Sequence, residues 1–326
     1  MKPIASSVLK RLSDGDFHSG EQLARALDLS RASIWHAVRQ LESAGLEVYK
    51  VRGRGYRLAR PLTLLDREGV ERHLGAHAAR FALDVRETVD STNTVLLQLA
   101  QGGAPGGTAV AAEWQSGGRG RQGRPWHAGL GEALTFSLLW RCQRGAAALS
   151  GLSLAVGVAL ARALAAAGAP DAVLKWPNDV LWRGRKLCGI LIELAGDALG
   201  PTAAAIGIGI NVQLSDATRA RISQPAADLE EACGAAPDRN RVLAGVLVEL
   251  DRALEAFARD GFGPVRAEWQ RRHAHQDRRV TLALPGGGRL TGRARGVAED
   301  GALLIETRAG TQRYHSGEIT LRSAKP

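Results

Sequence analysis

The stretch SGGRGRQGRPW, from Ser116 to Trp126, packs four glycines and three arginines into eleven residues without an acidic one. Within it Gly118, Gly120 and Gly123 satisfy the G-x-G-x-x-G letter pattern of a dinucleotide-binding turn, which would make the central sheet a Rossmann sheet. A Rossmann turn must open a helix that meets the pyrophosphate, with an acidic ribose partner about 20 residues further on. Here Pro125, Gly129 and Gly131 follow, then the strand-like run TFSLLW, and at the required distance stand Trp140, Arg141 and Cys142. The chain also has no GxxxxGK[ST] phosphate loop. The dinucleotide reading fails. What the stretch can do is close on another anion. Its glycines let backbone approach a ligand, and its arginines bring fixed charge with paired donors for carboxylate or phosphate. On its own it would serve equally as a disordered basic loop.

Two further clusters bear on that choice. Asp90-Ser91-Thr92-Asn93 follows a strand-like alternation, Val85-x-Glu87-x-Val89, and precedes the helical VLLQLA. Alone it is a helix cap, although a small polar ligand would use the same hydroxyls and amide. In LKWPNDV, Pro177 limits helix formation, and the strand-like run after it places Lys186 seven residues beyond Asp179. Alone, Lys186 is a solvated lysine and Trp176 a packing anchor.

The remainder of the chain sets the frame. Its 326 residues, 45% of them hydrophobic, suffice for two or three domains with a sizeable core. No run of about 18 consecutive apolar residues suggests a membrane span. The start, MKPIASSVLKRLSDGDF, lacks the apolar core of a signal peptide. Cys142, Cys188 and Cys233 are odd in number and scattered, which argues against a disulfide framework or zinc knuckle and for the cytoplasm. The net charge of +10 is uneven: residues 1–60 carry +5, residues 264–326 carry +6, and the long middle is left at −1. A basic N-terminal segment is an electrostatic footprint for nucleic acid, while arginines in a neutral middle ask for a local anion.

The N-terminal segment reads as three helices and a hairpin. Ile4, Val8 and Leu12 share one helical face. Ser19 is placed to cap a second helix carrying Leu23 and Leu27, and Ser30 a third carrying Ile34, Val38 and Leu41. LEVYKVRGRGYRL then forms a two-stranded wing. This is a winged helix-turn-helix, in which Ser30, Arg31, Ser33, His36, Arg39 and Gln40 face base edges and phosphates. Arg52 and Arg54 on the wing reach the backbone. A small protein–protein module with a solvated basic face would give the same pattern. Beyond the connector ARPLTLLD the chain alternates strands with helices, among them the Ala-rich SLAVGVALARALAAAGAP and the long NRVLAGVLVELDRALEAFARDG. The last segment alternates at period two between Gly-rich turns, as a small antiparallel barrel does.

Taken together, EWQSGGRGRQGRPW, DSTN, KWPNDV…RKLCGILIE, GIGINV and the closing GEITLRS, with HSGEQLARALDLSRASI…VRGRGYRL before them, resemble the bacterial biotin–protein ligases of the bifunctional biotin operon repressor type. The resemblance covers nearly the whole chain. It implies a multidomain α+β protein: a winged helix-turn-helix over 1–62, a central mixed-sheet α/β ligase domain of the biotin–lipoate ligase, class II synthetase-like fold over 63–272, and a C-terminal SH3-like β-barrel over 273–326. The implied activity makes biotinyl-5′-AMP from biotin and Mg²⁺-ATP, then transfers biotin to a lysine of a biotin carboxyl carrier protein. No tightly bound prosthetic group is implied. The adenylate would promote a homodimer that binds operator DNA and represses biotin synthesis genes.

Carried over by motif, Ser91, Thr92, Asn93 and Gln115 would hold biotin, together with Arg119, Gly120, Arg121 and Lys186. Gly118, Arg121, Trp126, Asn178, Lys186, Asn211 and Arg322 would surround the adenylate. Lys186, Arg121, Arg119 and Asp179 form the catalytic set, with Asp179 orienting Lys186, entering a magnesium shell or acting as a base. Protein side chains alone are not expected to hold a metal. The stretch QLSDATRARISQPAA, which follows GIGINV, does not reveal which of its residues cover the adenine. The alternatives are a ligase whose winged domain does not repress, or a biotin-sensing transcription factor without catalysis; Lys186 and the loop arginines argue against the latter.

Overall fold

A computed structural model describes residues 3–143, 145–196, 200–283 and 288–315, and the backbone of 320–323. The N-terminal unit contains α1 (Pro3–Leu12), α2 (Gly20–Leu27), α3 (Arg31–Ser43) and the wing strands β1 (Val48–Val51) and β2 (Gly55–Leu58). Ser19 accepts a hydrogen bond from the Gln22 amide while the Gln22 side chain accepts from the Ser19 amide, a capping box that fixes the start of α2. Ser30 caps α3 through the Ser33 amide. Val8, Leu12, Leu23, Ile34, Val38 and Leu41 make the shared core, as their helical spacing requires. The wing is pinned to the connector between α1 and α2. His18 and Tyr56 exchange both backbone bonds at 2.9 Å, and Gly55, at φ +103°, has no room for a Cβ beside the His18 carbonyl.

The central unit runs α4 (Arg67–Leu74), β3 (Ala82–Val89), α5 (Thr92–Gln101), β4 (Thr108–Gln115), β5 (Ala133–Cys142), α6 (Leu152–Ala166), β6 (Val173–Lys175), β7 (Asp179–Trp182), β8 (Arg185–Gly196) and β9 (Thr202–Asn211). Helices α7 (Asp216–Arg221), α8 (Leu229–Cys233), α9 (Arg239–Asp260) and α10 (Gly263–Arg271) follow. Among the described residues the sheet has the order β3-β4-β5-β9-β8-β7-β6. The crossover helix α5 makes β3 and β4 parallel, and the other neighbours are antiparallel, so the sheet is mixed. Alternation along the strands divides the core. Ala109, Ala111, Phe136, Leu138, Ala204 and Ile206 meet the α6–α9 side, whereas Val110, Leu139, Ala203 and Ala205 meet Leu96 and Ala100 of α5. Residues 146–166 form a helical segment long and apolar enough to cross a membrane by length and composition, but 67% of its 18-residue apolar window is buried inside the protein, as in a core helix.

The C-terminal unit is antiparallel: β10 (Arg279–Ala283), β11 (Arg289–Val297), β12 (Leu303–Thr307), β13 (Gly310–Tyr314) and β14 (Thr320–Ser323), in the order β13-β12-β11-β10-β14. Its inward residues Val280, Leu282, Ala294, Leu303 and Ile305 join the same hydrophobic cluster as α6 and α9. The Trp176 indole nitrogen donates to the Gly301 carbonyl at 3.1 Å, so the KWPND turn is braced by this unit.

Candidate active site

A cleft of about 710 Å³ opens over the central sheet, within the size range of small-molecule sites. It has two chemically distinct ends. They are carried by β4 and β7, which stand four strand spacings apart, about 19 Å in a regular sheet.

One end is a neutral polar recess at the start of α5. Gln115, the last residue of β4, accepts through Oε1 from the Thr92 amide at 2.7 Å and the Thr92 hydroxyl at 3.1 Å. Ser137 on β5 sits beneath, bonded to Thr92 at 2.7 Å and to Asn93 Oδ1 at 2.6 Å. The Asn93 amide donates to the Leu191 carbonyl and to Glu193, so this side chain braces the recess. Ser91 lines it as well, almost fully buried.

The other end is cationic. Lys186 Nζ lies 2.7 Å from Asp179 Oδ1, and Lys175 Nζ lies 3.8 Å from Asp179 Oδ2. All three side chains are less than a quarter exposed. Asp179 is the one carboxylate among the described residues lining the cleft. The SGGRGRQGRPW stretch closes the roof as a tight hairpin: the Gly120 amide donates to the Arg124 carbonyl at 2.7 Å and the Trp126 amide to the Gly118 carbonyl at 2.9 Å. No helix follows it; Arg121–Gly123 is a single 3-10 turn with Gln122 at φ +58°. The Arg121 guanidinium reaches Asn178 Oδ1 at 3.4 Å, and burial, with Arg124 nearby, draws it below its ordinary pKa. Arg119 forks onto both oxygens of Glu193 at 3.1 Å and reaches the Thr94 hydroxyl at 2.9 Å.

The glycines of GIGINV have a specific use. A Cβ on Gly209 would stand 2.6 Å from the Trp126 ring, and one on Gly207 would stand 2.5 Å from Asn93 Oδ1. Two bare positions on β9 thus seat the indole and the amide. The Lys186 ammonium lies 5.7 Å from the Trp126 ring centroid, within reach of its face.

Of the expected adenylate contacts, Asn211 lines the cleft and Arg322 lies in the C-terminal sheet. The Asn211 amide is buried and donates to the Lys186 carbonyl at 3.2 Å and the Ala227 carbonyl at 2.9 Å, so it clamps backbone beside the cleft. Arg322 lies opposite Thr281 in the C-terminal sheet, but its side chain falls outside the described residues. Other lining residues escaped sequence reading. Arg221, Ile222, Ser223, Gln224, Pro225 and Ala226 form one wall, bound along Lys186 by its amide to the Pro225 carbonyl at 2.8 Å. Lys175, the first residue of KWPND, lines the cleft too. His275 lines the cleft from the segment leading into β10, its imidazole pushed down to about 4 by burial and by the charges of Lys175 and Arg278.

On the winged unit, Arg31, His36, Arg39 and Arg52 are exposed, while Ser33 and Gln40 are half-buried. The Ser30 hydroxyl is occupied as the helix cap and lies 2.9 Å from the Ser33 hydroxyl. Arg54 is exposed but stacks at 4.1 Å over Phe17. The exposed Trp35 on α3 was not among the expected DNA-facing residues.

Comparison with known proteins agrees with this arrangement. Residues 85–212 match the biotin/lipoate A/B protein ligase family, residues 5–57 an HTH domain, and residues 275–322 the biotin protein ligase C-terminal domain. The bifunctional ligase/repressor BirA of Salmonella typhimurium is 38% identical over 99% of this chain and 98% of its own. That of Bacillus spizizenii is 32% identical over 94% of both. The structure of the Aquifex aeolicus biotin protein ligase in complex with biotin and ATP aligns at a TM-score of 0.63 and 31% identity, over 74% of this chain and 99% of that one.

Proposed function

This chain belongs to the family of bifunctional biotin–protein ligases and repressors, and we propose that its cleft carries out both half-reactions of biotin transfer with the residues described above. The protein is an ATP-dependent biotin ligase with a DNA-binding repressor domain. In the first half-reaction a carboxylate oxygen of biotin attacks the α-phosphorus of ATP, the bond to pyrophosphate breaks, and biotinyl-5′-AMP forms. In the second, the deprotonated ε-amine of a carrier-protein lysine attacks the acyl carbon, and AMP leaves with the bonding electrons.

The pairing of a neutral recess with a cationic end in one cleft carries this reading. Thr92, Gln115 and Ser91, braced by Asn93 and Ser137, suit an uncharged hydrogen-bonding head group. A carboxylate approaching a triphosphate is repelled by about 4 kcal/mol per charge pair at 4 Å for an effective dielectric near 20. Arg121 and Lys186, with Lys175 behind Asp179, supply charge to offset several such pairs, acting by positioning and electrostatics. Magnesium enters as the substrate complex Mg·ATP, bound chiefly through phosphate oxygens, while Asp179, the one carboxylate among the described residues lining the cleft, holds Lys186 and Lys175. Trp126 flanks the adenylate on one side, Arg221–Ala226 on the other, and Arg119, Gly118 and Gly120 shape the roof.

The protein is assigned to the cytoplasm with its carrier protein, and its three functional units to 1–62, 63–272 and 273–326. Adenylate under the hairpin roof favours a homodimer, which presents two winged helices to a two-fold operator. Mixing the chain with biotin, Mg·ATP and a biotin carboxyl carrier domain should give one biotinylated lysine by mass spectrometry. No product, with ATP left intact, overturns the ligase assignment. A gel shift on DNA upstream of biotin-synthesis genes should tighten on adding biotin and ATP; unchanged affinity removes the regulatory half and leaves a ligase that does not repress.

A further inference from the structure

We propose that Trp35 reads the C5-methyl group of a thymine in the major groove, an inference that rests on the winged unit's binding of DNA. Trp35 lies in the middle of α3, where the residue is 48% exposed. The buried residues of this helix are Ile34, Ala37, Val38 and Leu41. Arg31, Trp35 and Arg39 follow one another at four-residue spacing and therefore share one face. The Arg39 guanidinium lies 5.8 Å from the ring centroid, and the His36 ring meets the indole edge-on at 4.9 Å.

An indole kept half in water keeps apolar surface that a ligand seated on this face would bury. The exposed neighbours on α3 are Arg31, Ala32, His36 and Arg39, which offer an apolar protein surface little besides the ring itself. They complement a polyanion. Arginines one turn to either side suit phosphates and would register the helix over the groove, with Arg52 of the wing adding a third contact. What faces an apolar ring between them must be apolar as well, and on the major-groove edge of B-DNA that group is the thymine methyl. Arg31 and Arg39 set position, and Trp35 supplies sequence preference.

The test begins with in vitro selection of a random duplex library against the full chain in the presence of biotin and Mg·ATP. Thymines of the selected duplex are then replaced one at a time by deoxyuridine, which deletes the methyl and nothing else. Wild-type binding should weaken about four-fold at one or more positions, the effect of one lost buried methyl. The same replacements should leave the affinity of Trp35→Ala unchanged. If no deoxyuridine matters to the wild type, the proposal is overturned without reference to any variant. If the penalty persists in Trp35→Ala, the methyl is read by another residue and the proposal again fails. A selection that enriches no sequence, from protein that biotinylates its carrier, overturns the DNA reading beneath it.

Discussion

Lys186 Nζ lies 2.7 Å from Asp179 Oδ1, bridging β8 and β7 inside the cleft. The carboxylate thereby fixes an ammonium on a flexible stem at the place where the proposed function brings biotin and ATP together, and it holds Lys175 from the other oxygen. Asp179→Asn keeps the shape of the side chain and removes the charge that positions both lysines. Misplacing such a group costs about 100-fold in rate. The expected outcome is a fall of that order in kcat for biotin-dependent pyrophosphate exchange, with little change in KM for biotin. An unchanged kcat would count against the positioning role.

Arg121 is the loop cation that reaches across the cleft to Asn178. Arg121→Gly deletes this bridge and leaves the hairpin without a cation at that position. The adenylate should then form but escape before transfer. Mass spectrometry of a mixture with an unrelated bystander protein should find biotin on many lysines of the variant's bystander and on almost none of the wild type's. Selectivity equal to that of the wild type would remove the arginine from the retention of the intermediate.

Much of this organisation is legible in the sequence because its signals are local. Ser19 and Ser30 announce the starts of α2 and α3, and the helical spacing of Ile34, Val38 and Leu41 marks the buried face of α3. The failure of Gly118-x-Gly120-x-x-Gly123 as a Rossmann turn was also local, since no helix follows. What was not legible depends on partners distant in the chain. Asn211 gives no sign in the sequence that its amide will clamp the Lys186 and Ala227 carbonyls, which come together only when the segment ending at Ala227 folds against β8. Residues 221–226 carry no motif, yet backbone pairing with Lys186 turns them into a wall. His275 enters the cleft only because the Leu174 amide bonds the Arg272 carbonyl at 2.7 Å, drawing the chain before β10 alongside β6.

The connector between the winged and central units is held by a buried ion pair. Arg239 meets Glu113 at 2.7 Å, and both are nearly inaccessible. The same guanidinium donates to the Thr63 carbonyl at 2.6 Å and the Ala133 carbonyl at 3.2 Å, while Glu113 also accepts from the Leu65 amide. Arg239→Met would leave a buried carboxylate without its cation, at a cost of about 3 to 5 kcal/mol in urea unfolding. Adding Glu113→Leu should recover part of that loss, because the stranded charge is then gone while the backbone acceptors still lack donors. A double variant no more stable than Arg239→Met would show that the carbonyl contacts, and not the ion pair, dominate.

His273 predicts how stability varies with pH. Its ring packs 4.6 Å from Trp269 and 6.0 Å from His275, and burial pushes its pKa down from 6.5 to about 4. Below pH 6.5 the unfolded chain binds a proton at this residue that the folded chain does not. Unfolding is therefore favoured as pH falls, and the effect levels off only below the folded value near 4. The sign is opposite to that of a histidine paired with a carboxylate, which stabilises the fold in acid. Linkage gives a loss of about 3 kcal/mol from this one imidazole at pH 4. Carboxylates titrate over the same range, so the useful measurement is the difference between the wild type and His273→Phe, followed by urea unfolding from neutral pH to pH 4. The variant should gain about 3 kcal/mol relative to the wild type across that interval, whatever their difference at neutral pH. A difference that stays flat would mean that the folded protein protonates His273 as readily as the unfolded chain does.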